Sequence, residues 1–382
     1  MDRSFRSTWC EINLDNLIYN YKSIKHLVGR DIEIIPVIKA NAYGHGAIMC
    51  GKTLLDAGAN RFAVAIIEEG IQLRKAGITC SILILGYVPP EAISQLIQWN
   101  LTPTVYTEEF AQQLSLQLTQ GFPVHIKLDT GMGRLGFKGI EESIAAIKKI
   151  HGLKNIVIEG IYSHFAVADE RDKSYSQYQI SQFQEVVLQL EKSHIHIPLK
   201  HMANSAGIID LPESYYNSVR PGIMLYGLYP SEHIKKVNID LRPVKTFKTT
   251  ISNIKMMSKG ESVSYGRKYI ASDPIKVAVL SVGYADGYSR LLSNKGQVLI
   301  QGIKTNIIGT VCMDQCMIDI THHPHAQIGD EVILYGEGLP IEEVAEKIGT
   351  INYEVSCMTK ERVSTLYFLE EKLIYMDNYL IH

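Results

Sequence analysis

The first 230 residues alternate short apolar runs with longer amphipathic stretches, and this alternation limits the possible folds more than any other feature. Eight runs are rich in β-branched residues, and they cover residues 34–39, 62–67, 82–87, 101–106, 124–129, 158–164, 199–204 and 218–226. Near-continuous apolar strands are typical of a parallel sheet that is buried on both faces. Eight such strands alternating with helices predict an α/β fold, a (β/α)8 barrel of the TIM type. An open doubly wound sheet is the alternative.

The pattern changes near Arg242 and Pro243, where a series of short strands begins. Residues 246–257 alternate polar and apolar side chains, which indicates a strand with one buried face. The sequence therefore predicts a barrel over residues 12–235 and a mostly β domain over residues 240–382. We expect an N-terminal strand within residues 1–11 to join the β domain.

The composition disfavours several classes of protein. There are 38 Lys and Arg against 40 Asp and Glu, whereas proteins that mainly bind nucleic acid show a basic excess. Six cysteines are too few for a disulfide scaffold. No apolar run approaches the roughly 18 residues that cross a bilayer, and the N-terminus lacks the apolar segment of a signal peptide. We therefore expect a cytoplasmic protein with no nucleic-acid or membrane partner.

Polar side chains follow the predicted barrel strands at their carboxyl ends, where enzymes with this fold carry their active sites. Lys39 is the most informative, because desolvation at the end of a buried strand favours a neutral amine. A neutral amine can form a Schiff base with an aldehyde. The other strand-end residues with reactive or charged side chains are Lys127, Asp129, Arg134, His164, His201, Asn204, Ser205 and Arg220.

Two patterns suggest other chemistry, but their context argues against it. Residues 131–136 form a GxGxxG spacing after the fifth strand, whereas a dinucleotide site normally follows the first strand. His322, His323 and His325 lie beside a proline without acidic or thiol partners nearby. We interpret these histidines as solvated loop residues and predict no metal site.

The segments around the strand-end residues resemble the bacterial alanine racemase family, in the family's order over about residues 5–370. Its cofactor-lysine signature is similar to Val-Ile-Lys-Ala-Asn-Ala-Tyr-Gly-His-Gly at residues 37–46. Seven further segments resemble the family, and they are residues 129–136, 163–166, 219–223, 264–266, 282–288, 312–315 and 351–354. The resemblance implies a barrel that binds pyridoxal 5'-phosphate (PLP), followed by a β domain.

The resemblance also implies roles for individual residues. Lys39 would hold PLP as a Schiff base and act as one catalytic base, and Tyr265 of the second subunit in a homodimer would be the other. Arg134 and the backbone of Met313, the latter also from the partner, would bind substrate. The remaining residues that would contact the cofactor are Tyr43, His164, Asn204, Ser205, Arg220, Gly222, Ile223 and Tyr353. Supporting residues would be Lys127, a carbamate in many relatives, and His201, Tyr284 and Asp314.

The implied activity is the two-base interconversion of L- and D-alanine, which supplies D-alanine for peptidoglycan. Serine or broad-specificity racemisation, PLP-dependent decarboxylation and non-enzymatic PLP binding stay open. Tyr353 favours alanine over serine, while Tyr265 and the β domain disfavour the last two alternatives. Relatives commonly carry arginine where this chain has Thr310, so we expect a wider or less charged substrate entrance.

Overall fold

Two compact units make up the part of the chain that the structure, a computed structural model, describes: residues 6–381. The barrel unit contains residues 17–42 and 47–242, and the β unit contains residues 6–16, 43–46 and 243–381. The strand expected within residues 1–11 is β1 (Thr8–Asn13), which belongs to the β unit, while residues 1–5 lie outside the described residues. The assignment of residues 43–46 to the β unit has no counterpart in the sequence pattern, and the domain limits drawn above stay a prediction.

The barrel unit has eight parallel strands around one axis. They are β2 (Glu33–Ile34), β3 (Arg61–Val64), β4 (Ser81–Ile84), β5 (Thr102–Val105), β6 (Phe122–Lys127), β7 (Ile156–Tyr162), β8 (Leu199–His201) and β9 (Ser218–Val219). Neighbours pair in the order β2-β9-β8-β7-β6-β5-β4-β3. A parallel bridge between Val37 and Ala63 closes the circle. The predicted (β/α)8 barrel is thus confirmed, and the open sheet is excluded.

Two of the predicted strands are much shorter than expected because proline interrupts them. The first was predicted over residues 34–39, but regular pairing ends at Ile34, two residues before Pro36. The last was predicted over residues 218–226 and ends at Val219, two residues before Pro221. Proline has no N–H to give to a neighbouring strand, so regular pairing stops near it.

The helices of this region alternate with the strands. They are Leu14–Val28, Ala47–Asp56, Ile67–Lys75, Ile93–Gln98, Glu108–Gln117, Ile140–His151, Ser174–Lys192 and Ser205–Asp210. The longest, Ser174–Lys192, buries one stripe with helical spacing, made of Ser176, Gln179, Ile180, Phe183, Val186, Val187 and Leu190. That stripe packs inward, as the periodicity of a surface helix predicts. The exposed positions are mostly polar, and Tyr175, Tyr178 and Leu188 are the exceptions.

The β unit contains the remaining long strands. They are β10 (Lys245–Met257), β11 (Ser262–Val263), β12 (Tyr269–Ile270), β13 (Ile275–Leu280), β14 (Gln297–Ile300), β15 (Ile303–Ile308), β16 (Cys316–Asp319), β17 (Glu331–Tyr335), β18 (Ser364–Leu369) and β19 (Lys372–Asp377). Strands β10, β13, β16, β15, β14 and β17 pair in a closed cycle, which β1, β18 and β19 extend. The long strand β10 contacts β17 with its first half and β13 with its second half. The mostly β domain is confirmed.

Two α-helices, Ile341–Ile348 and Asn352–Cys357, follow β17. Short 3-10 turns complete both units at Pro90–Ala92, Pro212–Ser214, Ile223–Tyr226, Lys236–Asn238, Tyr265–Arg267, Tyr284–Asp286 and Arg290–Leu292. Over residues 6–381, none of the helices has both the length and the apolar character required to span a bilayer.

Candidate active site

Lys39 begins a left-handed turn, Lys39–Gly44, directly after the residues that close the barrel. Four consecutive non-glycine residues have φ angles of 51–54°, and they are Ala40, Asn41, Ala42 and Tyr43. This conformation costs about 1–2 kcal/mol for each L-residue, so other contacts have to hold the turn. Backbone strain of this kind is concentrated at functional sites.

The carboxylate of Glu69 fastens the strained turn to the end of the next strand. One oxygen accepts the N–H of Ala40 at 2.6 Å, and the other accepts the N–H of Ala65 at 2.6 Å. The side-chain oxygen of Asn41 accepts the N–H of Ala47 at 2.8 Å. The backbone that carries Lys39 is therefore held by side chains on both sides.

Arg220 follows β9 and is buried. Its Nη1 donates to Nδ1 of His201 at 2.5 Å and to the carbonyl of the same residue at 2.9 Å, while Nη2 donates to the carbonyls of Ser163 and Met202. Within residues 6–381 its Nε–H meets no acceptor, which leaves that donor for a ligand. Burial lowers the pKa of Arg220 to about 10, so the side chain remains a cation at neutral pH.

A series of hydrogen bonds continues from His201 into the barrel interior. Nε2 of His201 lies 2.8 Å from Nδ1 of His125, and Nε2 of His125 lies 3.2 Å from a carboxylate oxygen of Glu159. Glu159 also forms an ion pair with Arg61 at 3.0 Å. Of these four residues, the sequence analysis identified only His201.

The charges of four cationic side chains of the barrel unit act on His164. Burial lowers the pKa of His164 well below its ordinary value, and the charges of Arg220, Lys127, Arg134 and Lys39 lower it further. Nδ1 of His164 lies 3.4 Å from Nη2 of Arg220. The structure thus brings five of the predicted site residues together in an electropositive region that suits an anionic ligand.

The ring of Tyr162 lies between two of these cations. Nζ of Lys127 and the guanidinium carbon of Arg220 are each 4.9 Å from the ring centre. The Tyr162 hydroxyl shares a 2.8 Å hydrogen bond with Thr104. Burial, followed by repulsion from Arg220, lowers the pKa of Lys127 well below its ordinary value. The ring therefore lies within cation–π distance of both side chains.

The GxGxxG loop is organised around Asp129 and presents Arg134. The Asp129 carboxylate accepts the N–H groups of Gly131, Gly133 and Arg134 at 3.0–3.1 Å. Partial burial acts to raise the pKa of Asp129, but these three donors outweigh it and lower the pKa. A Cβ atom at Gly136 would lie 2.3 Å from the Asp129 nitrogen, so the loop closes only with glycine there. The spacing of the glycines is thereby explained without a dinucleotide.

Ser205 and Gly222 form a second, neutral part of the barrel site. The buried Ser205 hydroxyl accepts the N–H of Gly222 at 2.9 Å, and no acceptor within the described chain takes its own hydrogen. Ile223 follows and begins a 3-10 turn. Asn204, predicted to bind the cofactor, uses its side-chain oxygen to accept the N–H of Gly207 at 3.0 Å. Asn204 therefore caps the helix Ser205–Asp210.

In the β unit, the rings of Tyr43 and Tyr353 are neighbours, with centres 6.2 Å apart. The Ser356 hydroxyl donates to the carbonyl of Tyr43 at 2.8 Å, and Lys245 donates to the carbonyl of Gly44 at 3.0 Å. Two tyrosines that the sequence analysis expected at one ligand thus lie together within this unit.

Tyr265 stands on a strained turn and exposes 70% of its surface. Ser264 and Arg267, on either side, have φ angles of 67° and 49°. Thr310 donates its hydroxyl hydrogen to the carbonyl of Tyr265, and Ser264 donates to the carbonyl of Thr310 at 2.6 Å. The Thr310 side chain is buried. This side chain lies beneath the Tyr265 turn, and the expectation of a wider or less charged substrate entrance stays a prediction.

Met313 and Tyr284 are exposed side chains on adjoining segments of the β unit. The carbonyl of Cys312 accepts the N–H of Tyr284 at 3.0 Å, and that of Met313 accepts the N–H of Ala285 at 3.0 Å. Asp314 forms an ion pair with Arg362 at 2.6 Å. That ion pair fixes the end of the segment that carries Met313.

The histidine tract of the β unit is only partly solvated, which corrects one expectation. His322 and His325 are exposed, as predicted. His323 is buried, and its Nε2 shares a 2.7 Å hydrogen bond with the hydroxyl of Thr305. A buried imidazole needs such a partner, and a threonine on a neighbouring strand supplies it.

Glu69, His125, Glu159 and Tyr162 are site residues that the sequence analysis missed. His125 stands two residues before Lys127, so both side chains lie on the same face of β6. Glu159 places a charge inside an apolar run, and a buried charge requires a partner. These two signals are present in the sequence, whereas nothing in it shows that Glu69 reaches the Lys39 turn.

Comparison with known proteins matches both units. The model of the alanine racemase N-terminal domain matches residues 12–230, and that of the C-terminal domain matches residues 244–367. The chain is 46% identical to alanine racemase 1 of Clostridium acetobutylicum and 48% identical to alanine racemase of Clostridium perfringens, over the full length of each chain. The solved alanine racemase of Clostridium difficile 630 superposes with a TM-score of 0.95 at 42% identity, covering 99% of this chain and 100% of that one. Both domain matches and the full-length relatives agree, and the chain belongs to the alanine racemase family.

Proposed function

We propose that this chain interconverts L- and D-alanine with PLP as its cofactor. The observation that carries the proposal is the group of cations around His164, on the barrel of a chain that belongs to this family. PLP brings a phosphate and a phenolic oxygen, and the amino acid brings a carboxylate. The basic side chains Arg220, Lys127, Arg134 and Lys39 complement these groups, and the two arginines are the permanent cations among them.

The residues present fit PLP in three further respects. The unused Nε–H of Arg220 is a donor for the pyridine nitrogen. The Ser205 hydroxyl and the N–H of Ile223 would donate to the phosphate, while the N–H of Gly222 holds the Ser205 oxygen in place. Lys39 supplies the amine that would hold the cofactor. When bound, PLP would supply the electron sink for the carbanion at the substrate's α-carbon.

Two bases on opposite faces of the α-carbon would exchange its proton. Lys39 Nζ, as the neutral amine, would take or return the proton on one face. Tyr265 of a second copy would do the same on the other face through its hydroxyl. Arg220 would keep its own proton, because its pKa of about 10 lies well above neutral pH. It would therefore donate a hydrogen bond to the pyridine nitrogen without protonating it.

A homodimer follows because the two bases, Lys39 and Tyr265, would come from different copies of the chain. Tyr265 and Met313 are large, exposed side chains of one unit, which supports a role at a surface shared with a second copy. Arg134 and the Met313 backbone would then hold the substrate carboxylate. We propose a soluble cytoplasmic enzyme of this kind, which supplies D-alanine for peptidoglycan.

Lys127 would support the site as a carbamate. Its lowered pKa provides a neutral amine, whose nitrogen would bond to the carbon of CO2 and release one proton to solvent. The product would be an anion under the influence of the Arg220 and Arg134 charges. The carbamate would steady Arg134. A resonance of the carbamate carbon in protein equilibrated with ¹³C-bicarbonate, lost in Lys127→Met, is the expected result. The same resonance in both proteins would contradict this assignment.

The test compares initial rates with L-alanine and L-serine, using PLP-saturated protein and chiral detection of the product. Racemisation of alanine at least tenfold faster than serine is expected. Tyr265→Phe should lower the rate by about 10²–10⁴-fold, while Tyr375→Phe, at an exposed tyrosine of the same unit, should not change it.

Each alternative has its own outcome in this assay. Comparable rates with serine would indicate a broad-specificity racemase. Release of CO2 without racemisation would indicate a decarboxylase. Binding of PLP with neither reaction would indicate a binding protein, and full activity in Tyr265→Phe would contradict the two-base mechanism.

A further inference from the structure

Four side chains are hydrogen-bonded in series from the site into the barrel interior: Arg220, His201, His125 and Glu159, named here the histidine relay. The first link joins Arg220 Nη1 to His201 Nδ1 at 2.5 Å, the second joins the two imidazoles at 2.8 Å, and the third joins His125 to Glu159 at 3.2 Å. Both histidines are almost completely buried. Water therefore competes little with the first two bonds, whereas the third ends on the partly exposed carboxylate of Glu159.

The chemistry of the two ends fixes the direction of every bond between them. A guanidinium can only donate, and a carboxylate can only accept. A neutral imidazole has one donor and one acceptor nitrogen. The relay is satisfied only when His201 and His125 both carry their hydrogen on Nε2, so that each donates towards Glu159 and accepts on Nδ1.

The surroundings keep both imidazoles neutral. Burial lowers the pKa of His125, and burial together with the Arg220 charge lowers the pKa of His201 well below its ordinary value. Hydrogen bonds from His125 and Arg61 hold the pKa of Glu159 at about 2, so this end stays an anion. Arg61 in turn is paired with Glu33 at 2.9 Å.

The fold makes space for the relay. A Cβ atom at Gly160 would lie 2.5 Å from Cε1 and Nδ1 of the His125 ring, so the strand leaves out a side chain where the imidazole lies. The ring of Tyr162 stacks on His201 with centres 4.8 Å apart and planes 6° from parallel. The positions of both rings are thus determined by their neighbours.

We propose that Glu159 and His125 are positioning residues for Arg220, which act by fixing the Nε2–H form of His201 and so the acceptor that orients the guanidinium. Only the effect on PLP rests on the proposed function, in which Arg220 would present its Nε–H to the pyridine nitrogen. The hydrogen-bond direction itself is a property of the cofactor-free chain.

The direction of the hydrogen bonds in the histidine relay is tested first, in full-length protein without PLP. Nitrogen NMR of ¹⁵N-histidine-labelled protein distinguishes the two neutral forms and the protonated form of each ring, with His125→Phe and His201→Phe used for assignment. We expect both rings to be neutral at pH 7.5 with hydrogen on Nε2. A ring with hydrogen on Nδ1, or on both nitrogens, would overturn the relay whether or not the protein is a racemase.

The positioning of Arg220 is tested with two variants, each of which removes one partner of the ion pair between Glu159 and Arg61. Glu159→Gln replaces the carboxylate, which only accepts, by an amide that can also donate and so reverse the relay. Arg61→Met removes one donor to Glu159 but leaves the carboxylate in place. We expect Glu159→Gln to weaken PLP binding about tenfold and to shift the absorption spectrum of the bound cofactor. Arg61→Met should stay within twofold of the parent protein and keep its spectrum.

Equal effects of the two variants, or no effect of Glu159→Gln, would overturn the positioning role. If Glu159→Gln does not fold, His125→Phe replaces it, since a phenyl ring keeps the ring volume over Gly160 and removes both links. Failure of the parent protein to bind PLP would refute the proposed function and the role towards the cofactor, while the NMR result would still decide the relay.

Discussion

The hydroxyl of Thr310 donates a hydrogen bond to the carbonyl oxygen of Tyr265 at 2.9 Å, from a side chain that is only 2% exposed. The tyrosine itself is largely exposed. A buried threonine thus holds the backbone of an exposed side chain to which we assign a proton-transfer role. The orientation of Tyr265 depends on this bond and on the Ser264 hydroxyl beside it.

Thr310→Val removes the donor while keeping the shape of the side chain. We expect kcat to fall about five- to tenfold with little change in KM, since the loss of one hydrogen bond costs about 1 kcal/mol and loosens the base. Steady-state rates in both directions of racemisation measure this. Thr310→Ser, which keeps the hydroxyl, should remain close to the parent, and an equal loss in both variants would contradict the role of the bond.

Glu69→Gln tests the anchor of the Lys39 turn. An amide offers only one acceptor, so one of the N–H groups of Ala40 and Ala65 loses its carboxylate partner. We expect a loss of about 1–3 kcal/mol in the free energy of unfolding and faster release of PLP. Glu68→Gln is the matched control, because Glu68 is adjacent and exposed. Urea unfolding and dialysis of the holoenzyme measure the two quantities.

Gly160→Ala would place a methyl group against the ring of His125. Overpacking in a filled interior costs about 1–3 kcal/mol, so a lower midpoint of urea unfolding is expected. In a His125→Ser background the same change should cost much less, because the smaller side chain vacates the space. An equal cost in both backgrounds would show that the collision with His125 is not the cause.

Three histidines, the buried His125 and His201 and the partly buried His164, make the barrel sensitive to acid. Their folded pKa values lie below the ordinary value of 6.5, so the unfolded chain binds protons below that pH while the folded chain does not. Stability therefore falls as the pH falls, by up to about 4 kcal/mol per pH unit. Urea unfolding of cofactor-free protein from pH 7.5 to 5.5 measures this slope. His125→Phe should reduce it by about a third, and an unchanged slope would contradict the assignment.

The periodicity of apolar residues along the chain was enough to predict the architecture of both units. Apolar runs of strand length between amphipathic stretches can bury their side chains in few ways, so periodicity was enough to predict the barrel and the β domain. Local signals also marked individual residues. Lys39 follows a buried run, and glycines surround Arg134. Such features depend on neighbours in the chain, and the sequence displays those directly.

Contacts between side chains that are distant in the sequence could be found only in the folded structure. Glu69 reaches the backbone at Ala40, and Glu159 acts on His125 across neighbouring strands, although neither glutamate stands near a reactive residue in the sequence. The hydrogen bond from Thr310 to the backbone of Tyr265 likewise joins residues that are 45 positions apart in the chain. Hydrogen-bond direction and burial depend on which atoms folding brings together, and the spacing of residues in the sequence does not show which atoms these are.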